Sequence, residues 1–479
     1  MRVEQLIDDP AAVHPDTLAL CVGAERLTYR QLRAERDRRA AILIEVGIRA
    51  GDRVVIAEQT SPDLVIDFLA CCQVGATFVT FSPLFVASEL AALTMRVRPA
   101  LVLTADGQPH AAITAPLALP VTLPGTPSFA AQQEAAHRAL ALPVTAPAVI
   151  RGTSGTTGAR PQLVVRTHQQ LLWNRQLHAP WECAGSVVCC YAPNQFMSAD
   201  ICFYLGLGAT LVFPTSGTPR SVEEGLVQHR ATILYTPVAL LQMLVMRQAA
   251  PPPGVQLTVI RVLASALSLR VRALAEQRYG AQVFSEYGLT ESCGQLVSAR
   301  VLGTPIGSVG KPLPGIELRV LDPDGQPVPV GTSGELVARS PGMMDGYLDD
   351  PEATAGIIRD GWLWTGDTGY QDDDGFLFII GRRRKLMIKV AGNNVSPEEV
   401  EAVLQRHPGV REAAVLPLAD EKRGEVLRAV IVPAITTLTA DELRRFCRAH
   451  LASYKIPRQF EFRDMLPRSA LGKVVRQLL

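Results

Sequence analysis

The sequence has almost no net charge: 47 basic residues stand against 46 acidic ones, leaving a formal +1. No field of one sign is available to gather nucleic acid or an anionic membrane, so any anion site must be local. Long apolar runs are missing too, and no window reaches the roughly 18 uninterrupted apolar residues of a membrane span. The opening "MRVEQLIDDPAAVHPDTLAL" has no basic stretch followed by an apolar one, so neither export nor anchoring is expected. The nine cysteines are odd in number and lack metal-ligand spacing, and the pairs Cys71-Cys72 and Cys189-Cys190 sit inside apolar runs. A disulfide frame is thereby disfavoured, and reduced, buried thiols in a cytoplasmic protein are expected. Repeats and low-complexity tails are absent. One further absence is a single lysine. "RGTSGTTGARPQ" from Arg151 carries Gly152, Gly155 and Gly158 at intervals of three, but Ala159 follows where a P-loop needs Lys.

What remains is an ordinary globular composition, 48% hydrophobic and 19% charged over 479 residues, enough for two or three subdomains. Strand-like runs at Val54 to Ala57, Thr77 to Phe81 and Ala100 to Thr104 alternate with helix-like stretches from Thr28 and Asp63, each ending at a Gly. That alternation predicts a parallel α/β layer architecture. After an Ala/Pro-rich stretch from Gly107 to Ala148, a strand is expected to run into the glycine-rich loop. A second βα series spans Val187 to Gly280, and shorter β pieces follow, "IELRVLD", "GELVAR" and "GFLFII". The last ninety or so residues read as a small α+β unit, with "SPEEVEAVLQRH" a helix capped by Ser396 and Pro397 at its first position.

Five stretches carry chemistry, and each alone has an ordinary explanation. The loop offers backbone N–H groups and the hydroxyls of Thr153, Ser154, Thr156 and Thr157 to a polyphosphate, without a fixed cation. "SEYGLTES" places Tyr287, Thr290 and Glu291 within five residues, a carboxylate suited to Mg²⁺ on a nucleotide or merely a solvated turn. "WLWTGDTGY" sets Asp367 in what reads as a tight turn. "GRRRKLMIK" is a cationic run at a domain junction, and "ALGK" puts Lys473 near the chain end, where a frayed surface lysine would be unremarkable.

In this order, "TSGTTG", "EYGLTE", "TGD", "VAGNNVSPEEVE" and "ALGK" resemble the motif series of the adenylate-forming (acyl-activating) superfamily over essentially the whole chain. Its members include acyl-CoA and aryl-CoA synthetases, stand-alone adenylation domains and luciferases, and the motif detail is most like aryl-acid CoA ligases. The resemblance implies an α/β fold: a large N-terminal domain, residues 1–384, of layered α/β subdomains plus a β-rich subdomain, and a small mobile C-terminal α+β domain, residues 385–479, hinged at Lys385. It implies attack of a carboxylate on the α-phosphate of ATP, departure of Mg-pyrophosphate, and then attack of a thiol on the acyl-adenylate. Thr153, Ser154, Gly155, Thr156, Thr157 and Gly158 would hold the β- and γ-phosphates. Glu286 and Tyr287 would lie along the nucleotide, Thr290 would reach the α-phosphate and Glu291 would hold Mg²⁺. Asp367 would take the ribose hydroxyls and Arg383 would bind ATP. Lys473 would offset charge developing on phosphorus. Phe196, Met197, Ala264, Ser265, Ala266 and Gly288 would line the acid pocket. ATP and Mg²⁺ are implied, with CoA or a carrier-protein phosphopantetheine as co-substrate.

Departures refine this. The usual Pro-Lys after the loop is displaced by one residue, and Gln162 takes the Lys position, so Arg160 is expected to supply the lost cation. Phe196-Met197 stands where amino-acid-activating relatives carry Phe-Asp, so an α-ammonium would be buried without a partner. A small non-amino carboxylic acid is expected as substrate. CoA is the first acceptor, with an acyl or aryl carrier protein or a nitrogen nucleophile, for amide or N–N bond formation, as alternatives. A non-catalytic nucleotide sensor is disfavoured by intact Glu291, Asp367 and Lys473. No nucleic-acid or membrane partner is expected, and the chain is expected to be a monomer or a homodimer.

Overall fold

A computed structural model describes every residue except 58–60, 82–86, 105–127, 129, 136–141, 153–161, 174–184, 191–197, 248–249, 264–266, 268, 300–303, 306, 383–387, 392, 421–423 and 468–478. Two mainly parallel sheets form the bulk of the large domain. The first has five strands in the order Leu101–Thr104, Arg53–Ala57, Thr77–Thr80, Pro147–Gly152, Leu163–Thr167, the last pair antiparallel. In the second, nine-stranded sheet, Val259–Leu263 lies between Ile233–Pro237 and Gln282–Leu289, all parallel, and the antiparallel strand Gly294–Ser298 flanks them.

Local rules build the helices that cover these sheets. In Tyr29–Glu45, Thr28 accepts from the Gln31 amide while the Gln31 side chain accepts from the Thr28 amide, so two orphan N–H groups are satisfied together. Ser61 caps Pro62–Val74, which begins with a proline and ends at Gly75, φ 81°, in the left-handed conformation that glycine adopts without penalty. That helix is buried from Leu64 to Val74 and carries Cys71 and Cys72 into the core. The eight described cysteines are all buried and free, as expected of reduced thiols. Burial pushes the Cys189 thiol up to about 12.

The strand Leu18–Val22 was not foreseen. It joins the large sheet parallel to Thr210–Phe213, a partner some 190 residues away, and pairs antiparallel with Glu25–Thr28. Beyond the two parallel sheets, Glu317–Leu321, Gly334–Arg339, Trp362–Gln371 and Leu377–Arg382 make the β-rich sheet. The C-terminal body has its own sheet, in which Val410–Asp420 and Gly424–Pro433 form a long hairpin. Two helices, Pro397–Leu404 and Ala440–His450, accompany it. Val395, Val400, Leu404, Leu427 and Leu443 form a core cluster within it, while Ala452 and Tyr454 pack against Leu90, Leu93 and Val97 of the preceding part of the chain. Ser396 and Pro397 start the helix as predicted, although the Ser396 side chain makes no capping hydrogen bond.

Candidate active site

Pro147–Gly152 leads into the glycine-rich segment and Leu163–Thr167 leads out, the two paired from Pro147↔Thr167 to Gly152↔Leu163. The strand that leads into the segment runs parallel to its other neighbour and ends there at its carboxyl end, where open α/β sheets bind ligands. Thr153, Ser154, Gly155, Thr156, Thr157, Gly158 and Arg160 lie outside the described residues, and Gln162, just beyond them, is buried.

The return strand holds the rest of the site. The Arg166 side chain is 1% exposed, and its Nη2 donates to the Thr290 carbonyl at 2.6 Å. Val164 bridges to Tyr347, and the Leu348 amide donates to the Leu163 carbonyl at 2.8 Å. Tyr347 is buried, and its hydroxyl donates to Glu291 Oε1 at 2.8 Å. The Met344 amide donates to the Glu291 carbonyl, fixing the backbone of the same residue. Glu291 is only 6% exposed, so the solvated-turn reading of this stretch does not hold. Its carboxylate, with one oxygen held by a phenol and the Thr290 residue adjacent, has the chemistry to share a divalent cation with phosphates.

A second pair crosses from one sheet to another. The Tyr287 hydroxyl donates to Asp367 Oδ2 at 2.8 Å, and both residues are buried. Asp367 corrects the sequence reading. It does not occupy a tight turn but lies within the ten-residue strand Trp362–Gln371, which pairs on both sides. The turn-like Thr-Gly-Asp-Thr-Gly composition has another cause: Gly366 has φ 75°, and the ladder shifts register between Thr368 and Gly369. Gly288 is likewise explained by backbone crowding, since a Cβ there would stand 2.1 Å from the Gly294 carbonyl oxygen.

Glu286 faces away from this pair. Both its oxygens accept from Arg261, Nε and Nη2, at 2.9 Å, and each side chain of this ion pair is 1% exposed. The Arg261 guanidinium also lies 4.5 Å from the Tyr235 ring centre, in cation–π range. Asp200 stands close by and accepts from Gln295 Nε2 at 3.1 Å. Burial raises its carboxyl pKa, and the Arg261 charge opposes that rise. The structure therefore brings together Thr290, Glu291, Tyr287, Asp367 and the strands that flank the glycine-rich segment, and it pairs Glu286 with Arg261. Phe196, Met197, Ala264, Ser265, Ala266, Arg383, Lys385 and Lys473 lie outside the described residues. Reading motifs missed Arg166, Tyr347, Arg261 and Asp200. A signal existed for Arg166, a lone charge inside the apolar run "LVVRT", where a buried partner is required.

Comparison with known proteins identifies the family. The AMP-binding enzyme family model matches residues 7–348, and the AMP-binding enzyme C-terminal domain model matches 399–473. Among curated relatives, a feruloyl-CoA synthase of Amycolatopsis sp is 33% identical over 482 residues, 97% of this chain and 96% of the relative. Among solved structures, a double mutant of o-succinylbenzoate CoA synthetase (MenE) from Bacillus subtilis, bound with its product analogue OSB-NCoA, matches with TM-score 0.87 and 26% identity over 99% of this chain and 98% of that one. The same synthetase in complex with its acyl-adenylate intermediate OSB-AMP gives a TM-score of 0.70 at 27% identity, over 99% and 97%. The amide bond synthetase McbA from Marinactinospora thermotolerans matches with TM-score 0.85 and 26% identity over 100% and 99%. With the AMP-binding enzyme family model covering 7–348, well over half of the chain, the chain belongs to the AMP-binding enzyme family.

Proposed function

We propose that this chain is an ATP-dependent, AMP-forming ligase that activates a non-amino carboxylic acid, aryl or otherwise hydrophobic, and transfers the acyl group to the thiol of CoA. The observation that carries the reading is the convergence of Thr290, Glu291 and Tyr347 on the strand leaving the glycine-rich loop. The CoA-ligase names of relatives spanning nearly the whole chain support it.

In this reading Thr153 to Gly158 cradle the β- and γ-phosphates through amides and hydroxyls. Thr290 reaches the α-phosphate, Tyr287 lies along the adenine, and Asp367 accepts from the ribose hydroxyls. Glu291 would hold Mg²⁺, its carboxylate oriented by Tyr347. Bound Mg²⁺ would supply charge neutralisation on the departing pyrophosphate. Arg383 binds the nucleotide, and Lys473 stabilises the transition state of the first half-reaction. We assign residues 385–479 to a body that turns about Lys385 between half-reactions. Glu286 acts through Arg261, keeping the strand that bears Tyr287 in place. Phe196-Met197 offers no carboxylate to an α-ammonium, which is the ground for a non-amino acid. The free, buried cysteines support a cytoplasmic setting.

A pyrophosphate-release screen over aryl, fatty, hydroxy and amino acids, followed by product mass with CoA, tests the proposal. Pyrophosphate from no acid, or preference for an α-amino acid, overturns it. The likeness to an amide bond synthetase favours a second reading, transfer to an amine. Acyl-AMP that yields amide with an amine donor, but no thioester with CoA or a carrier protein, would select it.

A further inference from the structure

The described structure holds a lysine with 0% side-chain exposure, Lys455. It ends the short 3-10 turn Ser453–Lys455 of the C-terminal body. Its Nζ donates at 2.7 Å to Glu399 Oε1, on the helix Pro397–Leu404 of the same body. It also donates at 2.7 Å to Glu89 Oε1, on the helix Ala87–Val97 of the large domain. Around this triad, Ala452 and Tyr454 pack into the cluster of Leu90, Leu93 and Val97. One buried lysine is thus shared by carboxylates from two bodies.

The two contacts do different jobs. Burying an ammonium is costly unless it is paired, and Glu399 satisfies that need wherever the C-terminal body stands, because both groups travel with it. Burial alone would depress the Lys455 pKa, but Glu399, with Glu89 adding to it, raises it above the ordinary lysine value, so the ammonium stays charged. Glu89 is therefore not required to keep Lys455 folded. Its contact exists only while the C-terminal body is seated on the helix Ala87–Val97. Against one and the same synthetase the chain scores 0.87 with the CoA product analogue bound and 0.70 with the acyl-adenylate bound, at nearly equal coverage.

We propose that Glu89 is a positioning residue for thioester formation: through Lys455 it holds the C-terminal body in the orientation used by the CoA half-reaction and lets go of it for adenylation. The proposal rests on the ligase reading above. Glu89 touches neither nucleotide nor acid in that reading, so its removal separates the two half-reactions.

The test uses the full chain as wild type, Glu89→Gln and Glu89→Ala. Pyrophosphate release is measured without CoA, consumption of purified acyl-adenylate is measured after CoA is added, and amide exchange is followed at residues 90–97 and 452–456. In Glu89→Ala the CoA step is expected to slow about tenfold or more, pyrophosphate release to stay within about twofold, and exchange to rise on both faces together. Glu89→Gln, which keeps an acceptor but no charge, is expected to fall between. Equal loss in both half-reactions, or unchanged exchange and an unchanged CoA step, overturns the proposal. Failure of every acid to release pyrophosphate overturns the ligase reading instead, and the exchange measurement still decides whether Glu89 holds the bodies together.

Discussion

Replacing Glu286 by Gln separates two roles for a residue that lies inside a nucleotide-binding motif. The carboxylate is bound at both oxygens by Arg261 at 2.9 Å, and each side chain is 1% exposed. Glutamine retains the shape and one acceptor but removes the charge, leaving a buried guanidinium whose neighbours, among them Asp200, the Tyr204 hydroxyl and the Tyr235 ring, no longer include the carboxylate that bound it at two points. Breaking one side of a buried pair costs about 3–5 kcal/mol, so Glu286→Gln should lower the stability of the large domain by roughly that amount in urea or guanidinium unfolding. Joint replacement by Arg261→Met and Glu286→Leu removes both charges and should recover most of the loss, a coupling that a double-mutant cycle reads directly. In pyrophosphate release the KM for ATP should change little wherever Glu286→Gln stays folded. A variant that loses less than about 1 kcal/mol but raises the KM for ATP about tenfold would refute this reasoning and return Glu286 to the ligand.

Tyr347→Phe removes the donor that orients Glu291. The Mg²⁺ concentration giving half-maximal pyrophosphate release should rise about tenfold, the usual scale for losing a residue that orients a ligand. Asp367→Asn should raise the KM for ATP about tenfold, whereas Tyr287→Phe should not, because the tyrosine hydroxyl competes with the ribose for Asp367 Oδ2; measured KM values for both variants decide. Lys473→Ala should abolish adenylation and spare thioester formation from supplied acyl-adenylate, and equal loss in both steps would refute its role. His168 accepts from the Val3 amide at 3.2 Å, and burial, with Arg2 adding to it, lowers its pKa to about 3. Stability from this neutral imidazole is complete above the ordinary value of 6.5 and is lost as pH falls toward about 3. At pH 5 the loss should be about 2 kcal/mol, and His168→Asn should flatten that slope in denaturation measured across pH 4–7.

The candidate site could be proposed from the sequence because its motifs are local. Hydroxyls and glycines in "TSGTTG", or Thr290 beside Glu291, carry their chemistry within a few residues. The caps at Thr28 and Ser61 were readable for the same reason, since a cap is satisfied within one turn. Asp367 was misplaced because a glycine kink inside a paired strand has the composition of a turn. Arg261, Tyr347 and Lys455 escaped notice because their partners are fixed by tertiary folding. Lys455 and Glu89 lie 366 residues apart, and no periodicity links them.

The strand Leu163–Thr167 acts as a girder on which the separate pieces of the site hang. One end returns from the glycine-rich segment, its middle is stitched to Tyr347 and Leu348, and Arg166 props the Thr290 carbonyl. In the proposed reading, polyphosphate bound by the segment would act on this one element, and through Tyr347 on the Glu291 carboxylate. In that reading the Leu348 amide, hydrogen-bonded to Leu163, would gauge nucleotide occupancy by amide exchange.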